Sequence, residues 1–157
     1  MDLNQRESVF KSAVADYTGG RREQAAVKLR GLIEDGSNDP RHLSLCGLLL
    51  ATVNGKTQEG LRLCERAVDL GFTDPWVYLN LVRIYSSVGL RQKAVEVLRK
   101  GLRVKPGHPG LLREIRRLSP RGKPAIVFLD RDHALNRYLG AVRRKRQEPR
   151  RTHRKSA

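Results

Sequence analysis

The chain has 157 residues, enough for one domain with a modest core. Aromatic residues are 5% and hydrophobic residues 39%, many of them Leu, Val and Ala, which favours helices packed by aliphatic ridges and argues against a β-sandwich. The formal net charge of +16 is unevenly spread: residues 1–108 hold 17 Lys and Arg against 12 Asp and Glu, residues 109–157 hold 15 against 4, and such asymmetry points to an interaction tail.

The opening ten residues are largely polar and lack the apolar stretch of an export signal. Unit one is expected over residues 6–39. Its first helix reads Phe10-x-x-Ala13-Val14-x-x-Tyr17, Gly20 marks the turn, and Ala25-x-x-x-Leu29 lies in the second helix.

Unit two, residues 40–74, opens on Asp39-Pro40. Asp caps orphan N–H groups, and Pro fits the first helical position, where its missing donor costs nothing. Leu43-x-x-Cys46-Gly47-x-x-Leu50 follows, then Gly55, then Gly60 and Cys64 in the second helix. The longest apolar run, Leu48 to Val53, is far short of the roughly 20 residues needed to span a bilayer. Unit three, residues 75–108, opens on Asp74-Pro75. It carries Tyr78, Leu81, Val82 and Tyr85, turns at Gly89, and continues through Ala94, Leu98 and Pro106.

A capping helix over 109–119 follows His108-Pro109. Leu112 and Ile115 form its inner side, with Arg113, Arg116 and Arg117 opposite. Successive Pro residues stand 35 and 34 apart. Eight, eleven and fifteen residues before each Pro, small and aliphatic side chains recur on one helix face, so the repeating unit is a helical hairpin of about 34 residues.

Residues 120–157 leave the repeat. Arg121 to Pro124 reads as a linker, Ile126 to Leu129 is a short apolar run, and Leu135, Tyr138, Leu139 and Val142 fall on one side of a short amphipathic helix. The end of the chain is rich enough in Arg and Lys to predict disorder. Its cluster Arg143, Arg144, Lys145, Arg146, Arg150 and Arg151 could contact nucleic-acid phosphates, in keeping with a nucleic-acid- or ribosome-associated protein, or could simply solubilise. The apolar patches within 125–142 suit docking on the protein's own repeats or on a second copy.

The hairpins resemble the tetratricopeptide repeat family, whose pattern is W-x2-L-G-x2-Y, A-x3-F and P. Unit three carries the pattern best. Unit two departs at Gly60, Cys64 and Phe72, and unit one lacks the closing Pro. The resemblance implies an all-α solenoid of three hairpins with a capping helix and a basic C-terminal extension. It also implies a concave groove lined by the first helices, at Lys11, Ala15, Leu45, Leu48, Trp76, Leu79, Asn80 and Arg83, although Leu45, Leu48 and Leu79 equally suit packing between hairpins. Some relatives clamp the acidic C-terminus of heat-shock chaperones, and of the positions matching that clamp only Lys11 keeps the required residue type.

Chemistry finds little support. His42, His108, His133 and His153 lack partners at ligand or catalytic spacing and read as surface or cap residues. Cys46 and Cys64 form no CxxC pair and fall on core positions, which suits free thiols in a reduced, cytoplasmic setting. No cofactor or metal is expected. The expected function is a non-enzymatic adaptor whose groove receives a peptide or helix with apolar anchors and some acidic character.

Overall fold

A computed structural model describes residues 1–71 and 73–118. The chain divides into two units, 1–118 and 119–157, and the second lies outside the described residues. So do Phe72, the proposed linker and amphipathic helix, His133, His153, and the basic cluster from Arg143 onward.

Seven helices follow one another in unit one: α1 (Leu3–Thr18), α2 (Arg22–Glu34), α3 (Pro40–Thr52), α4 (Thr57–Asp69), α5 (Pro75–Ser87), α6 (Arg91–Val104) and α7 (Pro109–Leu118). They pair as hairpins α1/α2, α3/α4 and α5/α6, with α7 against α5 and α6, and among the described residues there is no strand. Residues 1–118 therefore form an all-α array of three hairpins and a closing helix. None of these helices is long and apolar enough to cross a membrane.

The starts follow local chemistry. Asp39 and Asp74 accept hydrogen bonds from the backbone N–H groups of Arg41 and Trp76, and Pro40 and Pro75 occupy the first turn. His108 does the same work for α7, its Nδ1 accepting from the Leu111 N–H at 3.4 Å. α1 begins at Leu3, ahead of the expected boundary at residue 6, because Asp2 and Gln5 form a reciprocal capping box. Gly20, Gly55 and Gly89 adopt φ of 83°, 70° and 77°, the left-handed region that turns each first helix into its partner.

Between α3 and α4 the backbones meet at two glycines. A Cβ on Gly47 would sit 2.5 Å from the Gly60 carbonyl oxygen and 2.7 Å from the Cys64 sulfur, and one on Gly60 would sit 2.4 Å from the Gly47 oxygen. The Cys64 thiol donates to the Ser44 carbonyl at 3.1 Å. Both cysteines are buried free thiols; burial pushes the Cys46 thiol up to about 11 and Cys64 up as well. Along the array Leu29 and Leu32 of α2, Leu43 and Leu49 of α3, and Leu81 and Ile84 of α5 are fully enclosed.

In α7 the buried pair is Leu111 and Ile115, whereas Leu112 is only half-buried, so the inner face is turned from the expected Leu112/Ile115 register. The cause is contact with two helices at once. Gly110 lets α7 approach α5 so closely that a Cβ there would lie 2.5 Å from Leu79 Cδ2.

Polar ties join the two helices of the first hairpin at both ends. Asp16, almost fully buried, accepts from Lys28 at 2.5 Å and Arg21 at 2.8 Å, and those hydrogen bonds hold its carboxyl below the usual range. Arg6 donates to Asp35 at 2.8 Å, binding the start of α1 to the end of α2. Two histidines expected at surface or cap positions are buried. His42, inside α3, packs 4.5 Å from the Phe10 ring, with Nδ1 2.8 Å from the Ser37 hydroxyl, while His108 is a cap that is also enclosed. Burial pulls the pKa of both downward, and at His42 this outweighs the attraction of Asp39.

Two outcomes follow from this packing. Gly47→Ala should destabilise the protein by about 2 kcal/mol through overpacking. Gly31→Ala, whose Cβ would meet nothing within 4 Å, should stabilise it by about 0.5–1 kcal/mol. Denaturant midpoints of the two variants check the pair, and equal shifts would contradict the close approach. The histidines make the second outcome. Their neutral form is favoured on folding, so their contribution is complete above the unfolded pKa of about 6.5 and is lost as pH falls below it, before carboxylates titrate near 4. The thermal midpoint should therefore drop between pH 7 and 5, and His42→Asn with His108→Asn should flatten that slope. A wild-type midpoint independent of pH across this window would refute the assignment.

Candidate functional site

The first helices of the hairpins, α1, α3 and α5, wall a recess of about 310 Å³. α1 contributes Phe10, Val14, Tyr17 and Thr18, which fall on one side because they are spaced four and three residues apart. α3 contributes Arg41, Ser44 and Leu45. Beyond them lie Trp76, Val77 and Asn80 of α5, and Asp74 just before it. The walls are mainly apolar, with polar groups at the floor and rims.

Trp76, the sole Trp of the chain, is the feature a ligand would meet first. It sits in the first turn of α5, is 50% exposed, and stands edge-on to the His108 ring at 5.1 Å. At the floor, buried Asn80 donates from Nδ2 to the Ser44 hydroxyl at 3.4 Å. Arg83 reaches from α5 to α1 and donates to the Tyr17 hydroxyl at 3.3 Å, without involving α3. On the other rim, Arg41 lies over the Phe10 ring at 5.2 Å and pairs with Asp39 at 2.7 Å and Glu7 at 3.0 Å. Those carboxylates raise the Arg41 pKa further, the Asp39 hydrogen bond most of all. At Asp39 burial pulls the carboxyl upward, but hydrogen bonds from Arg41 outweigh it and the net shift is down. The recess is thus apolar inside, with Arg41 and its two carboxylate partners on one rim, Asp74 in the lining, and Arg83 alongside through Tyr17.

The residues expected to line a groove separate into four sets. Leu45, Trp76 and Asn80 come together in the recess. Arg83 stands beside it through Tyr17. Lys11 is exposed on α1, 4.0 Å from Glu7, and Ala15 is exposed on the same helix; neither lines the recess. Leu48 and Leu79 are 3% and 0% exposed, and Leu79 lies against α7 at Gly110, so these two are packing residues with no surface to offer.

Phe10, Val14, Tyr17 and Arg41 were not among the expected groove residues. Phe10, Val14 and Tyr17 read in the sequence as repeat-pattern residues of the first helix of unit one. In the fold only Ala13 and Asp16 of α1 are buried, and the three larger side chains turn toward the recess. Their signal was bulk: three large apolar side chains on a helix whose partner face is filled by Ala25, Ala26, Leu29 and Leu32. Among the described residues, no group of three or more His, Cys, Asp or Glu could hold a metal ion.

No family model and no curated protein matches the chain in sequence. Solved structures do match in shape. A tetratricopeptide domain of Arabidopsis OM64 matches with a TM-score of 0.63 at 15% identity, covering 74% of this chain and 95% of that one. The second such domain of human RPAP3, in complex with an HSP70 peptide, gives 0.60 at 17% identity, covering 74% and 97%. The first such domain of Spaghetti (RPAP3), bound to an HSP90 peptide, gives 0.63 at 13%, covering 75% and 93%. With its hairpin pairing, turn glycines and closing helix, this chain has the tetratricopeptide-repeat fold.

Proposed function

We propose that the chain is a non-enzymatic adaptor that holds a short helix or extended peptide of another protein in the recess between α1, α3 and α5. The observation that carries this reading is Trp76, a large aromatic half-exposed at the mouth of an apolar recess of about 310 Å³. Side chains of this kind dominate binding energy when a partner desolvates them. Phe10, Val14 and Leu45 supply apolar wall for Leu-type anchors, and Arg83 stands where an acidic residue of the ligand would be neutralised.

Two of the similar domains are solved with HSP70 and HSP90 peptides. An acidic chaperone tail is nevertheless a poor fit here. The positions matching a carboxylate clamp hold Ala15, Leu45, Trp76 and Asn80, and the remaining one, Lys11, lies outside the recess. Apolar anchors with a single acidic contact suit these walls better than a free carboxylate does.

Twelve-residue peptides selected by display against the full chain provide the test. Trp76→Ala should weaken the best binder by about 2 kcal/mol, roughly 30-fold, with far-UV circular dichroism unchanged. Because Trp76 is the sole Trp, its emission in the wild type should shift on titration with the same peptide. Val14→Glu, on the opposite wall, should weaken binding as well. Unchanged affinity in both variants, or binding without any change in Trp emission, would remove this recess as the site.

A further inference from the structure

The charge of the array is concentrated at one end. Residues 1–90 hold 11 Lys and Arg against 11 Asp and Glu, whereas residues 91–118 hold nine against two. α6 and α7 thus account for the whole excess of the folded repeats. Among the described residues, carboxylates meet only two basic side chains of this stretch: Glu96 is 3.4 Å from Lys100, and Glu114 is 3.1 Å from Arg117.

The repeat itself shows where the other cations point. Glu65 and Asp69 of α4 line a recess with Lys93 and Lys100 of α6, so they face the next hairpin. Leu79 of α5 packs against the next first helix, α7, at Gly110. Advancing each by the 34-residue period reaches Arg99, Arg103 and Arg113, and the enclosed Val82 advances to Arg116. These are the surfaces on which a fourth hairpin would stack. Burial agrees: α6 turns Leu98, Gly101 and Leu102 inward and α7 turns Leu111 and Ile115 inward, while Arg103, Arg113 and Arg116 are exposed and Arg99 is half-buried. The Arg91 side chain donates to the Leu118 carbonyl, tying the start of α6 to the end of α7.

We infer that this arginine end face, Arg99, Arg103, Arg113 and Arg116, binds the phosphodiester backbone of a nucleic acid without reading its sequence. An end cap needs polarity, but it does not need one sign of charge. Guanidinium groups match phosphate oxygens with paired donors, which ammonium groups do not. Successive cations on α6 are one helical turn apart, about 5.4 Å, against a duplex that presents a negative charge every 1.7 Å or so. Residues 119–157 add to the positive charge of the chain, with 12 Lys and Arg against three Asp and Glu in the sequence. Leu111 and Ile115 of α7 are turned inward and Leu112 and Leu118 are half-buried, so this face offers little apolar side chain to insert among lipid tails.

Fluorescence anisotropy of the full chain with 20-base-pair duplex RNA and duplex DNA, between 50 and 200 mM salt, tests the surface. The variant Arg99→Gln/Arg103→Gln/Arg113→Gln/Arg116→Gln, with its tail intact, should lower the slope of log affinity against log salt by about 3 to 4, and affinity at 50 mM roughly a hundred-fold or more. The matching four-Lys variant controls for folding: it keeps the charges, so its slope should equal that of the wild type while affinity falls only a few-fold. Gln at Arg143, Arg144, Lys145, Arg146, Arg150 and Arg151 should leave salt-dependent binding in place. The inference is overturned if the four-Gln variant binds as the wild type does, if the tail variant loses all binding, or if neither duplex binds at 50 mM salt. It is also overturned if the four-Gln change abolishes binding to vesicles of mixed phosphatidylcholine and phosphatidylserine but leaves both duplexes unaffected. RNA bound more tightly than DNA, or the reverse, identifies which backbone the face prefers.

Discussion

A helical hairpin of about 34 residues has an apolar stripe that it cannot cover alone, and every other feature of residues 1–118 answers to that constraint. The stripe is covered by the next hairpin, so α2 lies against α3, α4 against α5 and α6 against α7. How near two hairpin helices come depends on what stands between them. At Gly47 and Gly60 nothing does, and the α3 and α4 backbones meet carbonyl to Cα. At Gly101 the same device admits Tyr78 and Leu111, and at Gly110 it admits Leu79. Apolar burial of about 25 cal/mol per Å² acts along the whole array, but the glycines decide where it can be collected.

Stacking also creates the recess. α3, α5 and α7 lie side by side at backbone distance, whereas the backbone of α1 stands off from α3. The gap is bridged by side chains, Phe10 against His42 at 4.5 Å and Arg41 pairing with Glu7 at 3.0 Å, and from α5 Arg83 reaches α1 by a hydrogen bond to Tyr17 at 3.3 Å. Contacts of this kind adjust by rotamer changes more cheaply than a packed core does. The same side chains that hold α1 in place therefore surround the space proposed for a ligand, which links occupancy of the recess to the position of α1.

The distribution of charge separates two roles along one fold. Residues 1–90, which hold every residue lining the recess, are electrically balanced, and their ion pairs, such as Asp16 with Lys28 and Arg21, serve as clasps between helices. The last hairpin and closing helix carry the net positive charge on surfaces that earlier units bury. A recess for protein and an end face for polyanion would then occupy different sides of the same array, without competing for residues.

The sequence by itself determined the periodic part of this protein. Pro40, Pro75 and Pro109 announce helix starts because Pro tolerates the first turn, and Gly20, Gly55 and Gly89 announce turns because φ near 80° is open to a residue without Cβ. Such signals are local and survive without any tertiary contact, so the hairpin count, the order of elements and the fold were legible. The capping box of Asp2 and Gln5 was equally local and present in the sequence, though it lay ahead of the repeat pattern. Tertiary structure alone decided which face of each helix became wall, floor or core. Leu79 and Asn80 are neighbours in sequence, yet Leu79 is sealed by Gly110 of α7 and Asn80 lines the recess. His42 looked like a surface residue until Phe10 covered it, and α7 turned Leu111 inward in place of Leu112 because it must satisfy two helices at once. Rotation of a helix about its axis depends on the neighbours it meets, and those neighbours are distant in sequence.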